Sequence, residues 1–147
     1  MGAFTILYVE DDPSDRFLMA RTFGKVAPSV RLKAVGDGEE ALAYLAGKPP
    51  FDDRASYPMP GLVLLDLKIP RRSGFEVLTS LRTELGLRMP VIVLSSSAEA
   101  DDVAHASACG ATSYMAKGVD LTTLRELVRG LAEYAELLGR TPAAPPP

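Results

Sequence analysis

Gly61-Leu62-Val63-Leu64-Leu65-Asp66-Leu67-Lys68-Ile69-Pro70 is the stretch that decides the fold. Its unbroken apolar run, bounded by Gly and Pro, lacks the alternation of a sheet with one wet face. It fits a strand buried on both faces, the environment of a central strand in a parallel sheet. The run ends on a carboxylate. The C-terminal ends of such strands open onto the crevice where these sheets bind ligands. A charge there is costly unless something compensates it, so Asp66 needs partners from elsewhere in the chain.

Four other segments read as strands. Phe4 to Val9 is apolar and β-prone and ends in Glu10-Asp11-Asp12. Val30 to Val35 alternates apolar and basic residues, as a strand nearer a sheet edge would. Pro90 to Leu94 is another continuous apolar run and leads into Ser95-Ser96-Ser97. Ala111 to Ala116 is short and is followed by Lys117-Gly118.

Helical patterns separate the strands. Asp12-Pro13 is a start signal for a helix to about Lys25. Asp37-Gly38-Glu39-Glu40 has capping-box spacing for a second helix that stops at Gly47. Ser73-Gly74 introduces a third, bearing Phe75, Val77, Leu78 and Leu81 and ending near Gly86. Residues 98 to 109 form an Ala-rich helix. The last runs from Leu121 to about Leu138, with Leu121, Leu124, Val128, Leu131, Ala135 and Leu138 stepping by three and four. The Pro-rich residues 48 to 60 read as a surface loop with little functional content.

Alternation of this kind predicts an α/β protein: a flavodoxin-like (βα)5, doubly wound, five-stranded parallel sheet in the order 2-1-3-4-5. The chain has 147 residues with 47% apolar and 24% charged, values of one globular domain. We expect that domain over 1–138, with 139–147 a Pro-rich disordered tail. A net charge of −3 offers no general attraction to nucleic acid or anionic membranes. The single Cys109 leaves no intramolecular disulfide and fits a reducing cytosol. No apolar window approaches the ~18 residues of a transmembrane span. The N-terminus has no basic region before its apolar stretch, so a signal peptide is not expected.

With all strand C-termini at one edge, the first strand delivers Glu10, Asp11 and Asp12, the third Asp66, the fourth Ser95 and the fifth Lys117. Two unit charges ~4 Å apart repel by roughly 4 kcal/mol at an effective dielectric of about 20. A hard divalent cation with oxygen ligands, such as Mg2+, relieves that crowding, and Lys117 offsets part of it from the other side.

In this order of residues the chain resembles the receiver domains of two-component response regulators. The resemblance covers about residues 4 to 138. It is carried by the acids of YVEDD, by Asp66 in LVLLDLKIPRRSG with Pro70 and Gly74 at the family spacing, by Ser95 in PVIVLSSS, and by Tyr114 and Lys117 in GATSYMAKG. It implies that Asp66 takes a phosphoryl group from the phosphohistidine of a sensor histidine kinase. Asp11, Asp66 and the Lys68 backbone carbonyl would hold Mg2+, with Glu10 acting through a metal-bound water. Lys117 would contact Asp66 and then a phosphoryl oxygen. Ser95 would hydrogen-bond the phosphoryl group, and Tyr114 would rotate inward in response. We therefore expect a chain that catalyses only its own phosphorylation and dephosphorylation, in the cytoplasm. The family's usual Pro after the lysine is replaced here by Gly118. A non-Pro residue there, with VEDDPSD-like and DLKIP-like stretches, is similar to stand-alone receivers that serve phytochrome-type sensor kinases and have no output domain.

Plainer roles compete at several positions. Asp12, directly before Pro13, suits a helix cap better than a metal ligand. Tyr114 reads equally as a half-buried strand aromatic. His105 reads as a surface residue without a triad partner, and Cys109 as a small buried residue at a helix end. Leu127, Tyr134 and Leu137 widen the apolar arc of the last helix; they are either ordinary exposed residues or a homodimer surface. Other activities fit this fold less well. A flavin or nucleotide protein would need a Gly/Ser/Thr-rich loop where Glu10-Asp11-Asp12 stands. An Asp-nucleophile phosphohydrolase would usually want a second acid where Lys68 stands. A degenerate receiver would not retain Asp11, Asp66, Ser95 and Lys117 together.

Overall fold

The computed structural model describes residues 4–96, 99–117 and 120–140. Its elements alternate strictly: β1 (Thr5–Val9), α1 (Pro13–Val26), β2 (Arg31–Val35), α2 (Gly38–Ala46), β3 (Leu62–Asp66), α3 (Gly74–Thr83), β4 (Val91–Ser95), α4 (Ala100–Cys109), β5 (Ser113–Ala116) and α5 (Leu121–Arg140). The five strands are parallel and lie in the order β2-β1-β3-β4-β5, as the alternation predicts. The last helix reaches Arg140, two residues beyond its expected end. Gly118, Ser97 and the tail residues 141–147 lie outside the described residues.

Each face of the sheet has its own core. On one side Ile6, Tyr8, Leu62, Leu64, Ile92 and Leu94 pack against Met19 and Phe23 of α1 and Leu124, Val128 and Leu131 of α5. On the other, Leu7, Val9, Val63, Leu65, Val91 and Val93 pack against α2, α3 and α4. Successive side chains of a strand point to opposite faces, so Leu62 to Leu65 serve both cores. All four are fully buried. At about 25 cal/mol per Å2 of apolar surface, each such side chain contributes roughly 1.5–3 kcal/mol. The central position of β3 therefore follows from its sequence.

The helix starts are set by short polar side chains. Asp12 accepts from the Ser14 and Asp15 amides at 2.8 and 3.3 Å, so it is the cap of α1. Asp37 accepts from Glu40 at 2.7 Å and Ser73 from Glu76 at 3.2 Å. Gly74 has a further role. A Cβ there would lie 2.7 Å from the Leu67 Cα and 2.8 Å from the Asp66 carbonyl oxygen. Its absence lets α3 sit directly on the turn that follows Asp66.

Residues 48 to 60 are more than a surface loop. Phe51 and Tyr57 pack with Tyr44 of α2, ring centroids 5.2 to 5.9 Å apart. Arg54 donates to the carbonyls of Tyr44, Leu45 and Tyr57 at 2.8, 3.0 and 3.2 Å, closing the C-terminal end of α2. His105 is exposed as expected, but its ring stacks on Phe75 of α3 at 3.9 Å. That contact matters because Ala106 is the fully buried residue of α4. Cys109, expected as a small buried residue, is half-buried and in no disulfide.

Candidate phosphoacceptor site

The register of the sheet assembles the site. Val9 pairs with Leu65 and Asp66 with Leu94, so Glu10 stands level with Asp66 and Ser95 one residue beyond it. Ser95 pairs with Ala116, which puts Lys117 at the same edge. The Lys117 amide donates to the Ser95 carbonyl at 2.9 Å and fixes where its side chain departs.

Lys117 is the hub. Its Nζ donates to Asp66 Oδ2 at 2.7 Å and to Glu10 Oε1 in a short contact. Asp15 Oδ2, on the first turn of α1, lies 3.4 Å away. Asp66 is also held on its other oxygen, Oδ1, which accepts the Lys68 amide at 3.0 Å. Its side chain is thus aimed by two donors while remaining almost buried. Glu10 is anchored further by Tyr8 Oη at 3.4 Å and the Asp12 amide at 3.3 Å. Arg16 grips the Glu10 carbonyl at 2.8 Å and ties the end of β1 to α1.

Burial controls the titration of these groups. It pushes the Glu10 carboxyl up to about 7; the Lys117 hydrogen bond offsets part of this and the nearby Asp66 charge adds to it. Burial would pull the Lys117 ammonium down, but its bonds to Asp66 and Glu10 outweigh that and hold it above its usual range. Burial and the adjacent Glu10 raise the Tyr8 phenol. The Glu10 shift has a stability consequence. Between its ordinary 4.5 and about 7 the folded protein binds more protons than the unfolded chain, so stability falls as pH rises through that window and is flat above it. The metal-free protein is expected to lose melting temperature from pH 4.5 to 7, and Glu10→Gln to remove that slope; an identical slope in the variant contradicts it.

Glu10, Asp11 and Asp66 each present an oxygen, and these lie within 4.8 Å of one another. Two of the three are buried and Asp11 is exposed, so the cluster opens to solvent on one side. An all-carboxylate set with an open side fits a hard divalent cation that keeps some of its waters. Ser95 is buried at the end of β4. Tyr114 is half-buried and packs on the core between the sheet and α2–α4. It pairs with Val93, and Ser95, two residues after Val93, points to the same face of the sheet. The serine and the tyrosine are therefore neighbours on one face, while Lys117 reaches the site from the other. Asp15 and Tyr8 are site residues that the sequence reading missed.

Residues 6–129 match the family model of the response regulator receiver domain. The chain belongs to that family. It is 33% identical over 132 residues to the probable methanogenesis regulatory protein FilR2 of Methanothrix harundinacea, covering 89% of this chain and 83% of that protein. It is 32% identical to the response regulator Rcp1 of Synechocystis, over 88% of this chain and 86% of Rcp1. The crystal structure of the phosphorylated cyanobacterial phytochrome response regulator RcpA superposes with a TM-score of 0.84 at 31% identity, covering 97% of this chain and 100% of that one. The Mn2+-bound form of Rcp1 superposes with a TM-score of 0.78 at 29% identity, covering 97% and 99%. These relatives are themselves little more than one such domain. Family membership implies a divalent metal and a histidine kinase partner. Among the described residues, no helix is long and apolar enough to cross a membrane.

Proposed function

We propose that Asp66 accepts a phosphoryl group from the phosphohistidine of a sensor kinase and that the charge it gains is the signal. The observation that carries this reading is Lys117 Nζ bridging Asp66 and Glu10, with Asp11 on the open side of the cluster. An Asp66 oxygen attacks phosphorus, the P–N bond to the histidine breaks, and the imidazole leaves with the electron pair. Transfer of this kind depends mostly on positioning and charge neutralisation. The Lys68 amide and Lys117 orient the carboxylate, and Lys117 then follows the phosphoryl oxygen. Bound through Asp11, Asp66 and the Lys68 carbonyl, with Glu10 behind a water, Mg2+ would neutralise the remaining charge. Ser95 meets a phosphoryl oxygen, and Tyr114, on the same face, fills the space this vacates. Self-phosphorylation and self-dephosphorylation, the only chemistry proposed for this chain, need no residue beyond these. Incubation with acetyl phosphate and Mg2+, read by intact mass, tests the proposal: one phosphoryl adduct is expected, and no adduct contradicts it.

The similarity to Rcp1 and RcpA supports a phytochrome-type sensor kinase as donor, in the cytoplasm. Transfer of labelled phosphate from such an autophosphorylated kinase would show it, and no transfer would refute it. The receiver domain is proposed to extend through α5 to Arg140, two residues past the expected boundary at 138, with the Pro-rich residues after it a tail. We further propose a homodimer through α5. Leu137 is 63% exposed, while Leu127 and Tyr134 pack partly into the core and leave an apolar margin beside it. Light scattering is expected to find a dimer that Leu137→Glu converts to monomer; a monomeric wild type ends the idea.

A further inference from the structure

We infer that Asp15 is a specificity-determining residue that selects against small anionic phosphodonors; this rests on the phosphoacceptor role of Asp66. Three carboxylates share the Lys117 ammonium, and their positions differ. Glu10 and Asp66 are buried and in close contact with Nζ. Asp15 stands farther away, at 3.4 Å, and its side chain is 45% exposed. The inner pair already fixes the lysine, so Asp15 adds little to its position. What Asp15 adds is a partly exposed negative charge 3.4 Å from the cation that must receive the incoming phosphoryl oxygens.

The helix start holds that charge in place. The Asp12 side chain accepts the Asp15 amide, so Asp15 is on the ordered first turn of α1. An acid in a first turn also favours the helix macrodipole. That plain role accounts for an acid at this position but not for its approach to Lys117. Asp15 and Lys117 together line a small cavity of about 60 Å3 whose other walls include Tyr8, Leu94 and Leu124. The cavity places Asp15 beside the lysine at its α1 side.

A free anion reaching Lys117 must pass this field unaided. A phosphohistidine on a docked kinase is delivered by protein contacts, which outweigh one exposed charge. For acetyl phosphate the reaction balances simply: an Asp66 oxygen forms the new O–P bond, the P–O bond to the acetyl group breaks, and acetate leaves with the electron pair. Removing the Asp15 charge should raise capture of the donor and leave the transfer step alone.

Asp15→Asn and Asp15→Glu, with Mg2+ and acetyl phosphate, test this by intact-mass time courses. Asp15→Asn should react roughly threefold faster at subsaturating donor, through a lower KM with an unchanged maximal rate, and the gain should fade as salt screens the charge. Asp15→Glu should behave as wild type. Phosphoramidate, with about one negative charge near neutral pH against two on acetyl phosphate, should show a smaller gain. An unchanged KM, a lower maximal rate, or a gain insensitive to salt overturns the inference. Failure of the wild type to form any adduct would instead overturn the phosphoacceptor role itself.

Discussion

Asp66→Asn is expected to form no phosphoryl adduct under conditions in which the wild type forms one. The substitution keeps the shape of the side chain and an oxygen that can accept the Lys68 amide, now held at 3.0 Å. It removes the anionic nucleophile and one of the three oxygens of the acidic cluster. Both are needed, because the attacking atom must carry charge and the cluster must hold a cation. The fold should survive. Asp66 repels the buried Glu10 carboxylate, and removing that repulsion compensates for the lost bond from Lys117. Unchanged circular dichroism with no adduct by intact mass is the predicted pair of results. An adduct of wild-type extent would place the acceptor elsewhere, Asp11 being the exposed carboxylate of the cluster.

Lys117→Met is expected to slow phosphoryl acceptance on the order of a hundredfold or more, the scale of losing one preorganised charge-stabilising donor. Methionine keeps the aliphatic stem and removes the ammonium. It leaves Glu10 and Asp66 facing each other, and both are almost fully buried. Removing one partner of a buried ion pair costs about 3–5 kcal/mol. Here we expect about 2–3 kcal/mol, because the Lys117 side chain is 24% exposed and Glu10 can take a proton near pH 7. Urea unfolding should show the smaller loss at pH 6 and the larger at pH 8. Equal losses at both would mean that the lysine does not compensate Glu10, and a wild-type acceptance rate would remove it from the chemistry.

The pattern of what could be read from the sequence has a physical basis. Asp66, Glu10 and Asp11 stand out because a charge that ends a continuous apolar run has few structural uses. The strand order follows from strict alternation and right-handed crossovers. The cap of α1 was legible because Asp-Pro is a local signal. Asp15 was not, because an acid in a first turn has a sufficient local explanation, and its approach to Lys117 joins segments 102 residues apart. Tyr8 looked like one more apolar strand position until its hydroxyl was seen against Glu10. Arg54 shows the same limit. In sequence it is a charge in a Pro-rich loop; in the fold it closes the end of α2 and makes residues 48 to 60 part of the core's edge.

If Asp66 is the phosphoacceptor, the phosphoryl group is held there as an acyl phosphate. Borohydride reduces an acyl phosphate to an alcohol at the residue that bears it, so reduction of the phosphorylated wild-type protein followed by peptide mass mapping reads the acceptor directly. The reduced side chain is expected to be that of Asp66, in the peptide containing LVLLDLKIP, and to be absent without phosphodonor. Reduction at Glu10, Asp11 or Asp15, or at no carboxylate of the site, would contradict it.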